Sequence, residues 1–326
     1  MTLTERLIAE PFDDELRLVI ADAMQQAGDP QGELAILQSR PIDTPELVTR
    51  QAELVQQVLG IGEPLDLADE KQILGVTWHL GWLRRARLQL VNFDEAPVSA
   101  HAHLERLLAS PASRLLEQFE LVVDTLWTRD VLVEEYLDRL IARGPYPAMR
   151  ILAIGGFVTD GWPDRDISAV YVANRHSPDG DAAISQLVRM CPRLEELRVE
   201  GNVFELGPVE LPQLRVLELR TSSLGKAALG GLERSRLPAL ERLVLWFGSC
   251  EYGHGDPCEA SDVLRFVRTL RGPLRHLALA NLPCADEVVD ALVDAELPVL
   301  ARLEHLDLSL GTLSRVDALI ALRPQL

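Results

Sequence analysis

Lysine is almost missing from this chain of 326 residues: only Lys71 and Lys226 occur, so nearly all of its 32 basic residues are arginine. Acids outnumber them at 50, which leaves a net charge of −18. A surface of that sign repels phosphate backbones and anionic lipid. Neither nucleic acid nor a membrane is therefore an expected partner, and basic proteins are favoured through electrostatic steering. Cysteine is scarce too. Cys191, Cys250, Cys258 and Cys284, scattered over this length, are not a disulfide framework, and reduced thiols in a cytoplasmic protein are the expectation. No window of about eighteen apolar residues exists, and the opening "MTLTERLIAEPFDDELR" has no basic segment leading into an apolar one. These absences predict a soluble, unexported protein.

What is present is a core: 47% of the residues are hydrophobic, ample for a sizeable folded body. Much of that content falls in one recurring pattern, an apolar residue, two variable ones, an apolar, one variable and an apolar. It is plainest in "LEELRV" (Leu194, Leu197, Val199), "LRVLEL" (Leu214, Leu217, Leu219), "LERLVL" (Leu240, Leu243, Leu245), "LRHLAL" (Leu274, Leu277, Leu279) and "LEHLDL" (Leu303, Leu306, Leu308). Weaker copies lie upstream at "LRRARL" (83–88), "LEQFEL" (116–121), "MRILAI" (149–154) and "ISAVYV" (167–172). Period-two alternation inside each copy predicts a short strand. Between them, helical spacing appears over 131–144, 181–190, 261–270, 286–295 and 314–322, with Asp181, Ser261, Asp286 and Ser314 as N-caps. A unit of one strand and one helix cannot bury its own apolar face, so successive units must stack into a solenoid.

The pattern resembles the leucine-rich repeat. That resemblance implies an α/β horseshoe, with parallel strands on the concave side and helices on the convex side, in eight or nine irregular repeats over residues 76–326. Asn202 fits the family's asparagine position after Val199, whereas Asp124, Ser222 and Gly248 stand there in other units.

Residues 1–75 lack the pattern and hold fifteen acids against five bases. Helical faces are expected at Leu16, Val19, Ile20 and Ala23 and at Leu47, Leu54, Val55 and Val58, with "GDPQGE" (28–33) as a turn. Residues 7–38 resemble the bacterial repeat-companion domain through Asp13-Asp14, "RLVIAD", "GDPQGE" and Leu37-Gln38. This implies an all-helical cap over the open hydrophobic end of the first repeat.

In such a solenoid the variable residues beside the marker leucines form a readable surface. Arg198, Glu200, Glu218 and Arg220 make a crossed block of charge on adjacent strands, expected to pair internally. Tyr171 and Trp246 are aromatics at exposed strand positions, the usual anchors of an interface. Arg242, His276 and His305 share one column, with Asp307 two residues from His305. Two loops complete the set: "GGFVTDGWPDRD" (155–166) with Trp162, and "WFGSCEYGHGDPCEAS" (246–261) with Tyr252 and a Cys-x3-His-x3-Cys spacing. Structural zinc sites use four ligands and closer cysteine pairs, so no metal or other cofactor is expected. No catalytic signature is present. The expected function is non-catalytic binding of a protein or peptide by a monomer or weak homodimer, the charge favouring a basic partner. The alternatives are an acidic inhibitor or immunity-type protein that blocks a basic enzyme, and a metal-dependent enzyme or subunit using His276 and His305 or the 250–258 loop.

Overall fold

The computed structural model of the chain describes residues 2–60, 74–90, 97–123, 131–156, 170–171, 182–201, 205–221, 223–248, 256–294, 297–309, 311 and 314. Four helices come first: α1 (Leu3–Ala9), α2 (Asp14–Gln26), α3 (Pro30–Gln38) and α4 (Pro45–Leu59). The side chains of Thr2, Asp13, Asp29 and Thr44 cap their N-termini by accepting from the backbone N–H of Glu5, Leu16, Gln31 and Leu47. The buried face of α2 is Leu16, Arg17, Ile20 and Ala21, one position round from the expected one. Val19 is 55% exposed, and Arg17 lies inside in its stead. "GDPQGE" is also more than a turn. Asp29 caps α3, Pro30 opens it where a missing N–H costs nothing, and Gly32 lets α3 lie on α2. A Cβ at Gly32 would stand 2.6 Å from the Ala21 carbonyl oxygen and 2.7 Å from Met24 Cβ.

A hairpin follows, β1 (Leu74–His79) antiparallel to β2 (Trp82–Leu90). Its turn residues Leu80 and Gly81 have φ of 48° and 81°, positive values that match the twist of paired strands. Leucine is a poor residue for that conformation. Here burial of its side chain with Leu16, Trp82 and Ala35 holds it there.

From β2 onward the main sheet runs parallel through β3 (Gln118–Val123), β5 (Ile151–Gly155), β7 (Glu196–Gly201), β8 (Val216–Thr221), β9 (Arg242–Trp246), β10 (His276–Ala280) and β11 (His305–Asp307). The result is an open sheet of nine strands. The central apolar residues of the sequence pattern form one row across it, Ala86, Phe119, Leu152, Leu197, Leu217, Leu243, Leu277 and Leu306. One expected member is not in that row. The "ISAVYV" segment supplies β6 (Val170–Tyr171), which pairs with β4 (Val131–Leu132) in a separate two-stranded sheet, while β5 pairs directly with β7.

Helices α5 (Pro97–Ala109), α6 (Glu134–Arg143), α7 (Ala183–Arg189), α8 (Lys226–Glu233), α9 (Ala260–Thr269) and α10 (Ala285–Asp294) lie between the strands. Of these, α5 and α8 have weak sequence signals, since α5 opens on a proline and Gly230-Gly231 interrupts α8. Two caps differ from expectation. Glu259 rather than Ser261 caps α9, and Asp286 sits inside the first turn of α10, where it accepts from the backbone N–H of Ser314 at 2.9 Å. Asp181 and the 314–322 window beyond Ser314 lie outside the described residues. Leu137, Leu187, Leu229, Val263 and Val288 from the helices join the marker row in one continuous core. The helices thus cover one side of the sheet, and the variable strand residues occupy the other.

Candidate binding surface on the sheet

Parallel register brings the charged block together as the sequence suggests, with Arg198 opposite Glu218 and Glu200 opposite Arg220. Arg220 donates through Nε to Glu218 at 2.6 Å and lies 3.6 Å from Glu200, while Arg198 lies 2.6 Å from Glu196 and 3.8 Å from Glu218. The carboxylates of Glu200 and Glu218 are buried, at 1% and 4% exposed, whereas Arg198 and Glu196 form a partly exposed pair. Burial pulls the Arg220 guanidinium below its ordinary pKa, opposed by Glu218 and Glu200.

Burial also corrects the reading of Trp246. Its side chain is only 9% exposed, and its neighbours on the same face, Val244, Ala278 and Ala280, are buried with it. Trp246 belongs to an apolar patch within the folded chain and is no exposed anchor. Tyr171 is likewise not part of the main sheet's columns, because β6 pairs with β4. Trp162 and Tyr252 lie outside the described residues. Accessible parts of the face lie at both ends: Arg242 and His305 are exposed, and towards β2 Arg85 holds Glu120 at 2.8 Å and Arg87 and Gln118 are half-exposed.

Arg242, His276 and His305 occupy matching places on β9, β10 and β11. The two imidazoles stack with centroids 4.4 Å apart and planes 9° apart. Stacked rings direct their in-plane lone pairs alongside one another and not onto a common point, so this geometry does not favour shared coordination of a metal. Among the described residues no group of three potential ligands converges. Arg242 lies 3.3 Å from Nδ1 of His276; a guanidinium only donates, so Nδ1 accepts and the ring is neutral. Burial first, then Arg242 and His305, hold His276 below its ordinary pKa of 6.5, against Asp307 and Glu218. The unfolded chain therefore takes up this proton at a higher pH than the folded one. The stability that His276 contributes is whole above about pH 6.5 and declines as pH falls through the lower folded value. Melting wild type and His276→Asn between pH 7.5 and 5 should show wild type losing more on acidification. Parallel curves would contradict this assignment.

In the 246–261 segment Cys258 is a buried core residue, not a loop ligand. Its thiol donates to the Leu224 carbonyl oxygen at 3.1 Å, and adjoining Pro257 bridges to Gly225. Cys250 and His254 lie outside the described residues. Cys191 is buried as well, which pushes its thiol up to about 12 and makes it unreactive.

One column escapes the sequence reading. The residue after the first apolar position of each marker alternates along the edge where the chain enters the strands: Arg84, Glu117, Arg150, Glu195, Arg215, Glu241, Arg275, Glu304. Successive members pair at 3.5 Å (Arg84–Glu117), 2.8 Å (Arg150–Glu195), 2.8 Å (Arg215–Glu241) and 2.8 Å (Arg275–Glu304). The alternation is visible in sequence only once "ISAVYV" is left out, since that segment would insert Ser168 between Arg150 and Glu195.

The helical cap uses this same edge. Arg17, 1% exposed, donates to the Pro11 carbonyl oxygen at 2.5 Å and lies 3.4 Å from Glu117. His79 meets Asp14 at 2.9 Å. Phe12 lies 5.7 and 5.8 Å from the guanidinium carbons of Arg150 and Arg193, and Arg193 donates to the Ala9 carbonyl oxygen at 2.8 Å. Helices α3 and α4 pack at the β1–β2 end, as Ser110 to Val58 and Gly81 to Gln38 record. The cap therefore extends along the strand-entry edge as far as β7, well beyond the end of the sheet.

No helix among the described residues is long and apolar enough to cross a membrane. No protein-family model matches the sequence, and no curated protein matches it. Among solved structures, a Bacteroides fragilis protein matches with a TM-score of 0.51 at 18% identity, over 84% of this chain and 74% of the other. A likeness at that identity establishes a common fold and nothing about activity.

Proposed function

We propose that the chain is a leucine-rich-repeat solenoid with a repeat-companion-like helical cap, working in the cytoplasm as a non-catalytic module that holds a protein or peptide partner on the concave strand face. The observation that carries the reading is the division of that face. Around Trp246, Val244, Ala278 and Ala280 it is apolar and buried, while Arg242 and His305 at the entry ends of β9 and β11, and Arg85 towards β2, stand accessible on a parallel sheet. Where that face meets the strand-entry edge, a depression of about 320 Å³ lies among Arg84, Arg85, Glu117, Gln118, Arg150 and Glu195. Rigid strands present such side chains at low ordering cost, which favours recognition over chemistry.

The net charge of −18 also supports the narrower reading, an acidic inhibitor that blocks a basic enzyme, whose binding would fall steeply with salt. Affinity capture from the native host, with Arg85→Glu/Arg198→Glu compared against the helix-side reversal Arg139→Glu/Arg265→Glu, tests the proposal. Partners kept by the helix-side variant and lost by the strand-face variant are expected. Identical partner sets for wild type and the strand-face variant would exclude the face as the binding surface.

A further inference from the structure

We infer that the strand-entry edge at β8–β11 is a second docking site, built like the one that receives α1 and α2. Its occupant is a helical segment of a partner protein that presents an aromatic ring and an arginine as Phe12 and Arg17 do. At the first site Arg17 and Arg84 share Glu117, and Phe12 lies against Arg150 and Arg193. Further along the edge, Arg215 takes the place of Arg84, Glu241 that of Glu117 and Arg275 that of Arg150. Arg302, immediately before the first leucine of its marker, takes that of Arg193.

The backbone frame recurs at every step of this edge, both places included, so their likeness rests on the side chains. Arg150 and Ile151 donate to the Glu117 carbonyl oxygen at 2.7 and 3.1 Å, as Arg275 and His276 donate to that of Glu241 at 2.9 and 3.1 Å. Alternation alone does not impose the side-chain match. Starting the comparison at Arg150 instead puts Ala239 where the arginine is needed.

The apolar part is matched in part. Leu115 and Ala148, which pack under α1 and α2 with Trp82, correspond to the smaller Ala239 and to Pro273, while Gln213 stands in the place of Trp82, so an occupant there presents a polar group where the cap presents an apolar one. Beside them a depression of about 280 Å³ among Leu217, Leu237, Pro238, Leu240, Phe266 and Leu270 offers a seat for an apolar side chain. The side chain of Glu117 is 12% exposed under α2, whereas those of Glu241 and Arg275 are 39% and 64% exposed.

The cap of a second copy is a poor occupant. Its Leu7, Leu16 and Ile20 are already buried in its own chain, and an intramolecular contact competes at an effective concentration on the order of millimolar. A partner segment of the same chemistry meets no such competition. This site is separate from the strand face proposed above and stands or falls without it.

The test titrates a synthetic peptide of residues 2–27 into the full-length protein, whose first site its own α1 and α2 fill. Saturable binding at one peptide per chain is expected. Arg302→Glu in the protein, and Phe12→Ala or Arg17→Ala in the peptide, should each weaken it at least tenfold, and Arg198→Glu on the strand face should leave it unchanged. An isolated helix of this length is marginal in water. A second arm therefore tethers residues 2–27 by a flexible linker after Leu326, where a rise in melting temperature that Arg302→Glu removes is expected. Binding that ignores Arg302→Glu or instead responds to Arg193→Glu, or a tethered segment without effect, overturns the inference.

Discussion

Glu218→Ala is expected to lower unfolding stability by about 3 kcal/mol, because removing one partner of a buried ion pair leaves an uncompensated charge inside. Glu218 is 4% exposed, and the side chain of its main partner Arg220 is 15% exposed. Without Glu218 the guanidinium keeps Glu200, 3.6 Å away, which places the loss near the lower end for such deletions. The burial that already draws the Arg220 pKa down is then opposed by one carboxylate instead of two. Urea unfolding read by circular dichroism measures the change. Glu218→Leu combined with Arg220→Met and Glu200→Leu should recover most of the stability, since replacing all three buried groups together removes the desolvation cost along with the attraction and leaves no buried carboxylate facing a lost guanidinium. Glu241→Ala, which breaks an exposed pair on the strand-entry edge, should cost far less. If the Glu218 and Glu241 variants lose equal stability, the charged block is not buried in the folded protein.

The main-sheet strands from β2 to β11 were legible in sequence because buried leucines at fixed spacing have no other economical use, and their register follows from that row, whereas β4 (Val131–Leu132) falls in a window whose spacing is helical. The hairpin was not legible. Its turn is Leu80-Gly81, where a buried leucine holds a conformation that asparagine usually signals. Nor was the placement of "ISAVYV", whose alternation is that of a strand but whose partner is decided by distant contacts with β4. The candidate surface divided along the same line. The crossed charges were legible because both strands' registers were, whereas exposure was not, since period two assigns a side chain to a face without stating what covers that face. Trp246 shows the difference, as does Arg17, whose charge would place it on the outside of α2. The Arg–Glu alternation is written in the sequence, but it became visible only once the pairing of β6 with β4 removed one false member from the series.

Arg17→Ala is expected to cost at least about 3 kcal/mol, the loss typical when one partner of a buried ion pair is deleted. The residue is 1% exposed and joins three things at once: the loop before α2 through the Pro11 carbonyl oxygen, its own helix through Asp14 at 3.6 Å, and the sheet through Glu117 at 3.4 Å. Deleting it leaves Glu117 with Arg84 alone, a carbonyl oxygen without its donor, and a void where a long side chain packed. Arg17→Met restores the stem but not the charge and should recover about half. The shape of the transition carries the larger consequence. Leu7, Leu16 and Ile20 of the cap share one core with Leu80, Trp82, Leu115 and Ala148 of the strand units. Cap and sheet should therefore unfold together, and Arg17→Ala should move a single transition to lower denaturant without splitting it. Two separated transitions in wild type, only the earlier of which responds to Arg17→Ala, would mean that the cap folds as an independent body and that the edge contacts of Arg17, Phe12 and Arg193 contribute little to holding it in place.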